Sequence, residues 1–123
     1  MLLTARWKRG PAPGPAALVA VTRTDFSRYR DMPGATLAAL RLRRAIPHTP
    51  GAVGVALALQ FGRRRTYSVS AWQTDEHLRH FLRSPAHLAI VTKYRTRVTV
   101  RGDSWTVEHF VLSDAWHAAR QLT

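Results

Sequence analysis

The sequence predicts one α+β domain in which strands and helices alternate along the chain. Bulky and small residues alternate from Ala52 to Phe61, which is the two-residue period of a β-strand. Leu78, Phe81 and Leu82 recur at the three- and four-residue spacing of an α-helix. The chain has 123 residues, of which 46% are hydrophobic, so it is long enough for one domain with its own core.

The other elements follow from turn and capping residues between apolar segments. Leu37 and Leu40 mark the apolar face of the first helix, and Pro47 ends it. Thr74 and Ser84 are favoured N-caps for two consecutive helical segments. The predicted strands are 16–24, 52–61, 66–72 and 104–111, and the predicted helices are 35–46, 75–94 and 114–122.

The order β-α-β-β-α-β, followed by a C-terminal helix, is the ferredoxin-like arrangement. With both long helical segments on one face of the sheet, the other face is left uncovered and apolar, which favours a partner. We therefore expect a homodimer in which a second copy covers that face, a dimeric α+β barrel. The domain is predicted to span 15–123, after a flexible, basic Pro/Ala-rich arm over 1–14.

Composition restricts the function classes. The absence of cysteine excludes disulfides, thiolate metal sites and thiol catalysis. The net charge of +12 would suit an acidic partner, but the charges are dispersed and GC-rich codon usage also produces an arginine-rich chain. We therefore do not expect nucleic-acid binding. No apolar run approaches the ~20 residues of a membrane helix, so we expect a cytoplasmic protein with no membrane span.

Segment 64–88 resembles the third strand and second helix of antibiotic-biosynthesis-monooxygenase-like proteins. The shared features are a strand ending in Trp, an acidic helix start, a mid-helix Phe and Ser-x-x-His, here Trp72, Asp75-Glu76, Phe81 and Ser84-Pro85-Ala86-His87. Segment 104–110, SWTVEHF, is similar to the last strand of a subgroup of small bacterial proteins that distantly resembles spheroidene monooxygenase, a carotenoid oxygenase. The resemblance covers about residues 16–112.

The resemblance implies a homodimer and a pocket between sheet and helices for small aromatic, polyketide or tetrapyrrole ligands. It also implies that some relatives oxygenate without metal or flavin, whereas others degrade haem using a strand-one Asn, a pocket Trp and a helix His. This chain has no Asn, and Val91 stands seven positions after Ser84. We therefore do not expect haem degradation of that type. We also predict no cofactor and no metal. His77 and His80 share a helix face, but solvent exposure is the simpler interpretation.

His87 and Trp72 are the predicted catalytic residues. His87 lies in the first turn after Pro85, near the expected pocket mouth, where it can hold a substrate oxygen or transfer a proton. Alternatively, its ring bonds a backbone carbonyl and closes the helix junction. The resemblance adds Trp72 as a pocket tryptophan. The predicted ligand-binding residues are Ser68 and Ser70, whose hydroxyls need partners, together with Phe81, Trp105 and His109.

The sequence thus favours a small-molecule monooxygenase-like pocket protein acting on an apolar or aromatic metabolite, with the reaction undetermined. One alternative is a non-catalytic ligand-binding or dimerisation module, in which every His is satisfied by the protein itself. The other is an RNA-binding domain, because RNA-recognition motifs share the element order. The segment RRRTYSVSAW lacks the glycine and the second aromatic ring of that motif.

Overall fold

The computed structural model describes residues 2–13, 15–16 and 18–122. Within these residues, five strands form one antiparallel sheet in the order β1-β3-β4-β2-β5. The strands are β1 Leu2–Arg9, β2 Leu18–Phe26, β3 Ala52–Gln60, β4 Arg65–Trp72 and β5 Val98–Thr106. The α-helices are α1 Met32–Ala45, α2 Asp75–Leu82, α3 Pro85–Tyr94 and α4 Leu112–Arg120. From β2 to β5 this is the predicted ferredoxin-like α+β order, which is therefore confirmed.

Capping hydrogen bonds explain where α2 and α3 begin. The Thr74 hydroxyl accepts a hydrogen bond from the His77 N–H, and the Ser84 hydroxyl accepts one from the His87 N–H. Each bond satisfies one of the N–H groups that the first helical turn leaves without a partner. Both predicted caps are confirmed, and the second cap places His87 in the first turn of α3.

The prediction of a flexible arm is wrong for the residues that form β1. Leu2–Arg9 pairs antiparallel with β3 and becomes an edge strand of the sheet. The edge of β3 offers unpaired backbone groups, which an extended segment satisfies. Trp7 adds an apolar anchor, because it packs over Gly54 and stacks on Phe110 with ring centroids 5.0 Å apart. Residues 1 and 14 of the predicted arm lie outside the described residues.

The predicted last strand also has the wrong bounds. β5 runs from Val98 to Thr106 and pairs with β2 along its whole length, through Gly102 and Asp103. A glycine inside a strand weakens it, but β5 is an edge strand with one neighbour and accommodates Gly102. Residues 107–111 leave the sheet, and Phe110 packs against the core beneath α4.

Helices cover both faces of the sheet, which contradicts the prediction of an open apolar face. On one face α4 lies over Val19, Val21, Tyr67 and Val69. The helix contributes small, buried residues to this contact, Ala115 and Ala119, which permit close approach. The C-terminal helix thus covers much of the surface assigned to a second copy. The homodimer stays a prediction, but its original physical reason no longer holds.

The opposite face lies under α1, α2 and α3. A buried cluster of Leu18, Ile46, Ala52, Trp72 and Leu78 packs one end of this layer. Leu37 and Leu40 of α1, predicted to mark its apolar core face, are instead exposed to solvent. None of the described helices is long and apolar enough to cross a membrane.

Candidate functional site

A cavity of about 780 Å³ separates the sheet from α1, α2 and α3. Its floor is formed by short side chains of β2 and β4, which cannot fill the space beneath the helices. These are Ala20, Thr22, Thr24, Thr66, Ser68 and Ser70. The volume lies within the range of about 300–1,000 Å³ that small-molecule sites occupy. The hollow that the resemblance implied between strands and helices is therefore present.

Trp72 and Ser70 form a hydrogen-bonded pair at one end of the cavity. The indole Nε1–H of Trp72 donates to Ser70 Oγ at 2.9 Å, and Trp72 is completely buried. Because the serine hydroxyl has accepted that bond, its own proton remains available to donate. Both residues line the cavity. A ligand oxygen at this end would therefore meet an oriented hydroxyl donor.

An aromatic row leads from this pair to His87. The Trp72 and Phe81 rings lie 5.1 Å apart between centroids, and the Phe81 and His87 rings lie 5.4 Å apart. Tilted ring pairs at these distances are favourable beyond the area they bury. All three line the cavity, so the row gives this end flat apolar walls with an imidazole at its far side.

The environment of His87 fixes which ring nitrogen carries the proton. Nδ1 lies 3.1 Å from the carbonyl oxygen of Leu82, which can only accept, so Nδ1 holds the hydrogen. Burial lowers the pKa of His87, and this outweighs the opposing effect of the Leu82 carbonyl. At neutral pH the ring is therefore neutral, and Nε2 has a lone pair that can accept a proton. The predicted bond to a backbone carbonyl is present and closes the helix junction, and His87 also lines the cavity. Its catalytic role stays a prediction.

Sequence reasoning missed one polar atom of the cavity wall. Thr36, on α1, lines the cavity, and its Oγ1 is the one buried side-chain polar atom without a hydrogen-bond partner among the described residues. A buried hydroxyl without a partner is costly, so it favours a polar ligand atom or water. The only signal in the sequence was a Thr among alanines and leucines, which did not distinguish it.

Two predicted ligand-binding residues lie elsewhere. Trp105 faces α4 and packs against the core on that side of the sheet. His109 lies in an exposed bend after β5 rather than on a strand. Their assignment to one cavity wall depended on the predicted strand 104–111, whereas β5 ends at Thr106. Ser68, Ser70, Trp72, Phe81 and His87 all line the cavity, so the structure brings five of the seven predicted residues together.

Three consecutive arginines, Arg63 to Arg65, follow β3, and two of them make contacts within the chain. Arg65 Nε donates to the Asp25 carboxylate at 2.6 Å, and this contact raises the pKa of Arg65. The Arg64 guanidinium lies 5.5 Å from the centroid of the Tyr29 ring. Among the described residues, no group of three or more His, Cys, Asp or Glu is placed to hold a metal ion.

Comparison with known proteins finds no matching family model and no matching curated protein. Among solved structures, a heme-degrading enzyme from Listeria monocytogenes matches with a TM-score of 0.66 and 17% identity, over 85% of this chain and 69% of that one. SnoaB, a cofactor-independent oxygenase from Streptomyces nogalater, matches with a TM-score of 0.61 and 15% identity, over 78% of this chain and 97% of that one.

A third similar structure is a ferredoxin fold protein from Listeria monocytogenes 4b F2365, related to antibiotic biosynthesis monooxygenases. It has a TM-score of 0.61 and 17% identity, over 88% of this chain and 63% of that one. Identities this low establish the fold and leave the reaction to be argued from the site. The resemblance drawn from segment 64–88 is thus confirmed, and the chain has the fold of the antibiotic-biosynthesis-monooxygenase-like proteins.

Proposed function

We propose that this chain is a monooxygenase-like pocket protein that binds an apolar or aromatic metabolite carrying an oxygen at one end. The cavity of about 780 Å³ is the observation that supports the proposal. Aliphatic side chains, alanine among them, and aromatic side chains form most of its wall, and the Ser70 hydroxyl and the His87 imidazole are polar groups near Trp72. A few convergent polar groups in an apolar cavity are typical of small-molecule sites.

His87 is the proposed proton acceptor. Its neutral ring has the lone pair on Nε2, and the Leu82 carbonyl holds the ring in that tautomer. Ser70 is the proposed donor to the ligand oxygen, and Trp72 acts on it by orienting the hydroxyl. Together they would remove a proton from a ligand hydroxyl and stabilise the resulting oxyanion.

Such an anion is electron-rich, and we propose dioxygen as its oxidant. For a ligand in which a CH₂ group is conjugated with this oxyanion, converting that CH₂ group to a carbonyl consumes one O₂, places one oxygen atom in the product and releases the other as water. This balance requires no further reductant. The similar fold of a cofactor-independent oxygenase supports this assignment by analogy.

The cavity does not fit haem, although one similar structure is a heme-degrading enzyme. Haem has two propionates that need cationic partners, and Arg43 is the one arginine or lysine that lines the cavity. Its guanidinium already donates to the Arg6 carbonyl oxygen, from Nε at 3.0 Å and Nη2 at 2.7 Å. We therefore derive no step through haem.

The structure also offers little support for RNA binding. RNA-recognition motifs stack bases on aromatic side chains of an open sheet face. Here Tyr67, the aromatic residue at the start of β4, is buried beneath α4. A ligand in the cavity therefore remains the function that the geometry favours, and we keep the cytoplasmic homodimer as part of the proposal.

The test is turnover and binding with a panel of quinols, other hydroxylated aromatics and carotenoids, with oxygen consumption as the readout. For any substrate found, we expect His87→Ala to lower turnover by about 100-fold or more, the range typical of a lost general base. His109→Ala removes an exposed histidine outside the cavity and should leave turnover unchanged. If His87→Ala turns over substrate like the parent, the assignment is wrong. Binding without oxygen consumption across the panel would favour the non-catalytic module.

A further inference from the structure

The cavity opens to solvent between leucine side chains. Leu3, Leu40 and Leu82 line the cavity, yet they are 54%, 39% and 41% exposed. Residues that face the cavity and solvent at once mark its mouth. The helical side of the mouth is therefore apolar, whereas Thr4, Asp103 and Ser104, which are also exposed and line the cavity, make its other border polar.

Further exposed apolar side chains continue this border on the same helical layer. Leu37 lies one turn from Leu40 on α1 and is 50% exposed. On α3, Leu88 and Val91 lie one turn apart and are 47% and 44% exposed. We call the six residues the leucine rim: Leu3, Leu37, Leu40, Leu82, Leu88 and Val91. Six of the ten large apolar side chains that are exposed among the described residues thus lie at the mouth or on these helices, which indicates an interaction surface rather than scattered surface leucines.

The charge beside the rim identifies the kind of partner. The three helices of this layer carry more cations than acids, namely Arg41, Arg43, Arg44, Arg79 and Lys93 against Asp75 and Glu76. Asp75 and Arg79 are paired with each other at 2.7 Å, and Arg43 donates to the Arg6 carbonyl oxygen. Arg41, Arg44 and Lys93 then remain against Glu76. Two copies joined through this face would bring like charges together, which costs free energy. An anionic surface would instead be attracted.

We propose that this helical face binds the surface of an anionic lipid bilayer, and that the cavity takes up its apolar ligand there. Leucine side chains would enter the boundary between headgroups and acyl chains, and the arginines would meet the lipid phosphates. The ligand would then pass from the bilayer along the apolar side of the mouth without crossing water. The uptake step rests on the proposed function, but bilayer binding is measured separately.

The first test is co-sedimentation with vesicles of phosphatidylcholine alone or mixed with phosphatidylglycerol. We expect the protein to bind the anionic vesicles more tightly and to lose affinity as salt screens the charges. Leu37→Ser with Leu88→Ser should lower the partition coefficient by about tenfold or more. Neither residue lines the cavity, and both are exposed, so the fold should persist. Val111→Ser, an exposed residue next to α4, is the control and should bind like the parent.

The second test separates this face from the general positive charge. Arg41→Gln with Arg44→Gln should weaken binding to anionic vesicles by about tenfold. Arg101→Gln with Arg120→Gln removes the same charge from the α4 side of the sheet. Arg120 lies on α4, and Arg101 is the cross-strand neighbour of Arg23, whose guanidinium donates to the Leu122 carbonyl oxygen just after α4. This control should bind like the parent. Equal losses in the two variants would overturn the proposal, because attraction would then be general.

Two further outcomes would also overturn it. One is unchanged vesicle binding by the leucine variant. The other is a concentration-dependent dimer that this variant abolishes, with no vesicle binding by the parent, since the face would then join two copies. Binding of the neutral apolar dye N-phenyl-1-naphthylamine without vesicles reports on the cavity alone. Dye binding that survives when vesicle binding is absent would leave the proposed function standing and refute only the bilayer proposal.

Discussion

The Trp72–Ser70 hydrogen bond provides the sharpest test of the cavity's architecture. Ser70→Ala removes the one acceptor that the described part of the chain provides for the Trp72 Nε1–H, whose nitrogen lies 2.9 Å from the serine oxygen. Trp72 is fully buried, so no bulk water can replace that acceptor unless it enters the cavity. The variant therefore leaves a buried donor without a partner, rather than exchanging one bond for another.

The expected loss of stability is about 1–3 kcal/mol, the desolvation cost of a buried donor without a partner. For a domain of this length, each kcal/mol lowers Tm by roughly 4 °C, so Ser70→Ala should lower Tm by roughly 4–12 °C. Ser68→Ala is the matched control. It removes a hydroxyl from the same face of β4. Among the described residues this hydroxyl makes no hydrogen bond, so the substitution should change Tm by much less.

A double-mutant cycle with Trp72→Phe isolates the bond from packing effects. In the parent, Trp72→Phe costs both packing and the hydrogen bond. In the Ser70→Ala variant the bond is already lost, so Trp72→Phe costs packing and at the same time removes the unpaired N–H donor. The second cost should therefore be smaller than the first by about 1 kcal/mol or more, measured by urea unfolding. If the two substitutions add to within about 0.5 kcal/mol, the bond does not hold the wall of the cavity together.

Three further predictions concern stability. Burial lowers the pKa of His87, so below about pH 6.5 the unfolded chain binds the proton first, and the free energy of unfolding falls. His87→Gln should show a weaker fall in urea unfolding at low pH, and parallel pH profiles would refute this. Arg97→Ala leaves the buried Asp31 carboxylate without its partner at 2.9 Å. The free energy of unfolding should fall by about 1–2 kcal/mol, and no more than that because water screens the half-exposed Arg97. An unchanged urea midpoint would contradict a stabilising ion pair. Gly51→Ala should cost about 1–3 kcal/mol, because Gly51 has φ of +76° and a Cβ would lie 2.0 Å from the His77 ring. Gly62→Ala, which meets no atom within 4 Å, is its control, and equal losses would contradict the steric argument.

Because α4 covers one face of the sheet, that face no longer provides a physical reason for a homodimer. The sequence suggested that an apolar sheet face would require a second copy, but Ala115 and Ala119 place α4 against it. The similarity in fold does not depend on whether a dimer forms, since it rests on the order and pairing of the strands. Analytical ultracentrifugation of the purified chain would decide whether a homodimer forms.

Local signals predicted the parts of the fold that local physics controls. The hairpin of β3 and β4 follows from alternation and a turn, and Arg64 takes the left-handed conformation within that turn. The Thr74 and Ser84 caps follow from the preference of hydroxyl side chains for helix starts. The candidate site was predicted where it depended on the same elements, since Ser70, Trp72 and Phe81 belong to β4 and α2.

Predictions failed where distant segments decide the outcome. β1 exists because β3 has an open edge, and nothing within its own basic sequence reveals that edge. Trp105 and His109 were misplaced because β5 ends where residues 107–111 leave the sheet to pack under α4. The unpaired hydroxyl of Thr36 is visible only once the cavity is formed.

The sequence by itself determined the order of strands and helices, the caps of α2 and α3, and the polar face of β4, because periodicity and capping act within a few residues. Only the tertiary structure decided which face each helix covers, that the short side chains of β2 and β4 leave a cavity, and that leucines border one side of its mouth. Those features depend on packing between segments far apart in the chain, and loop paths and side-chain volumes fix them together.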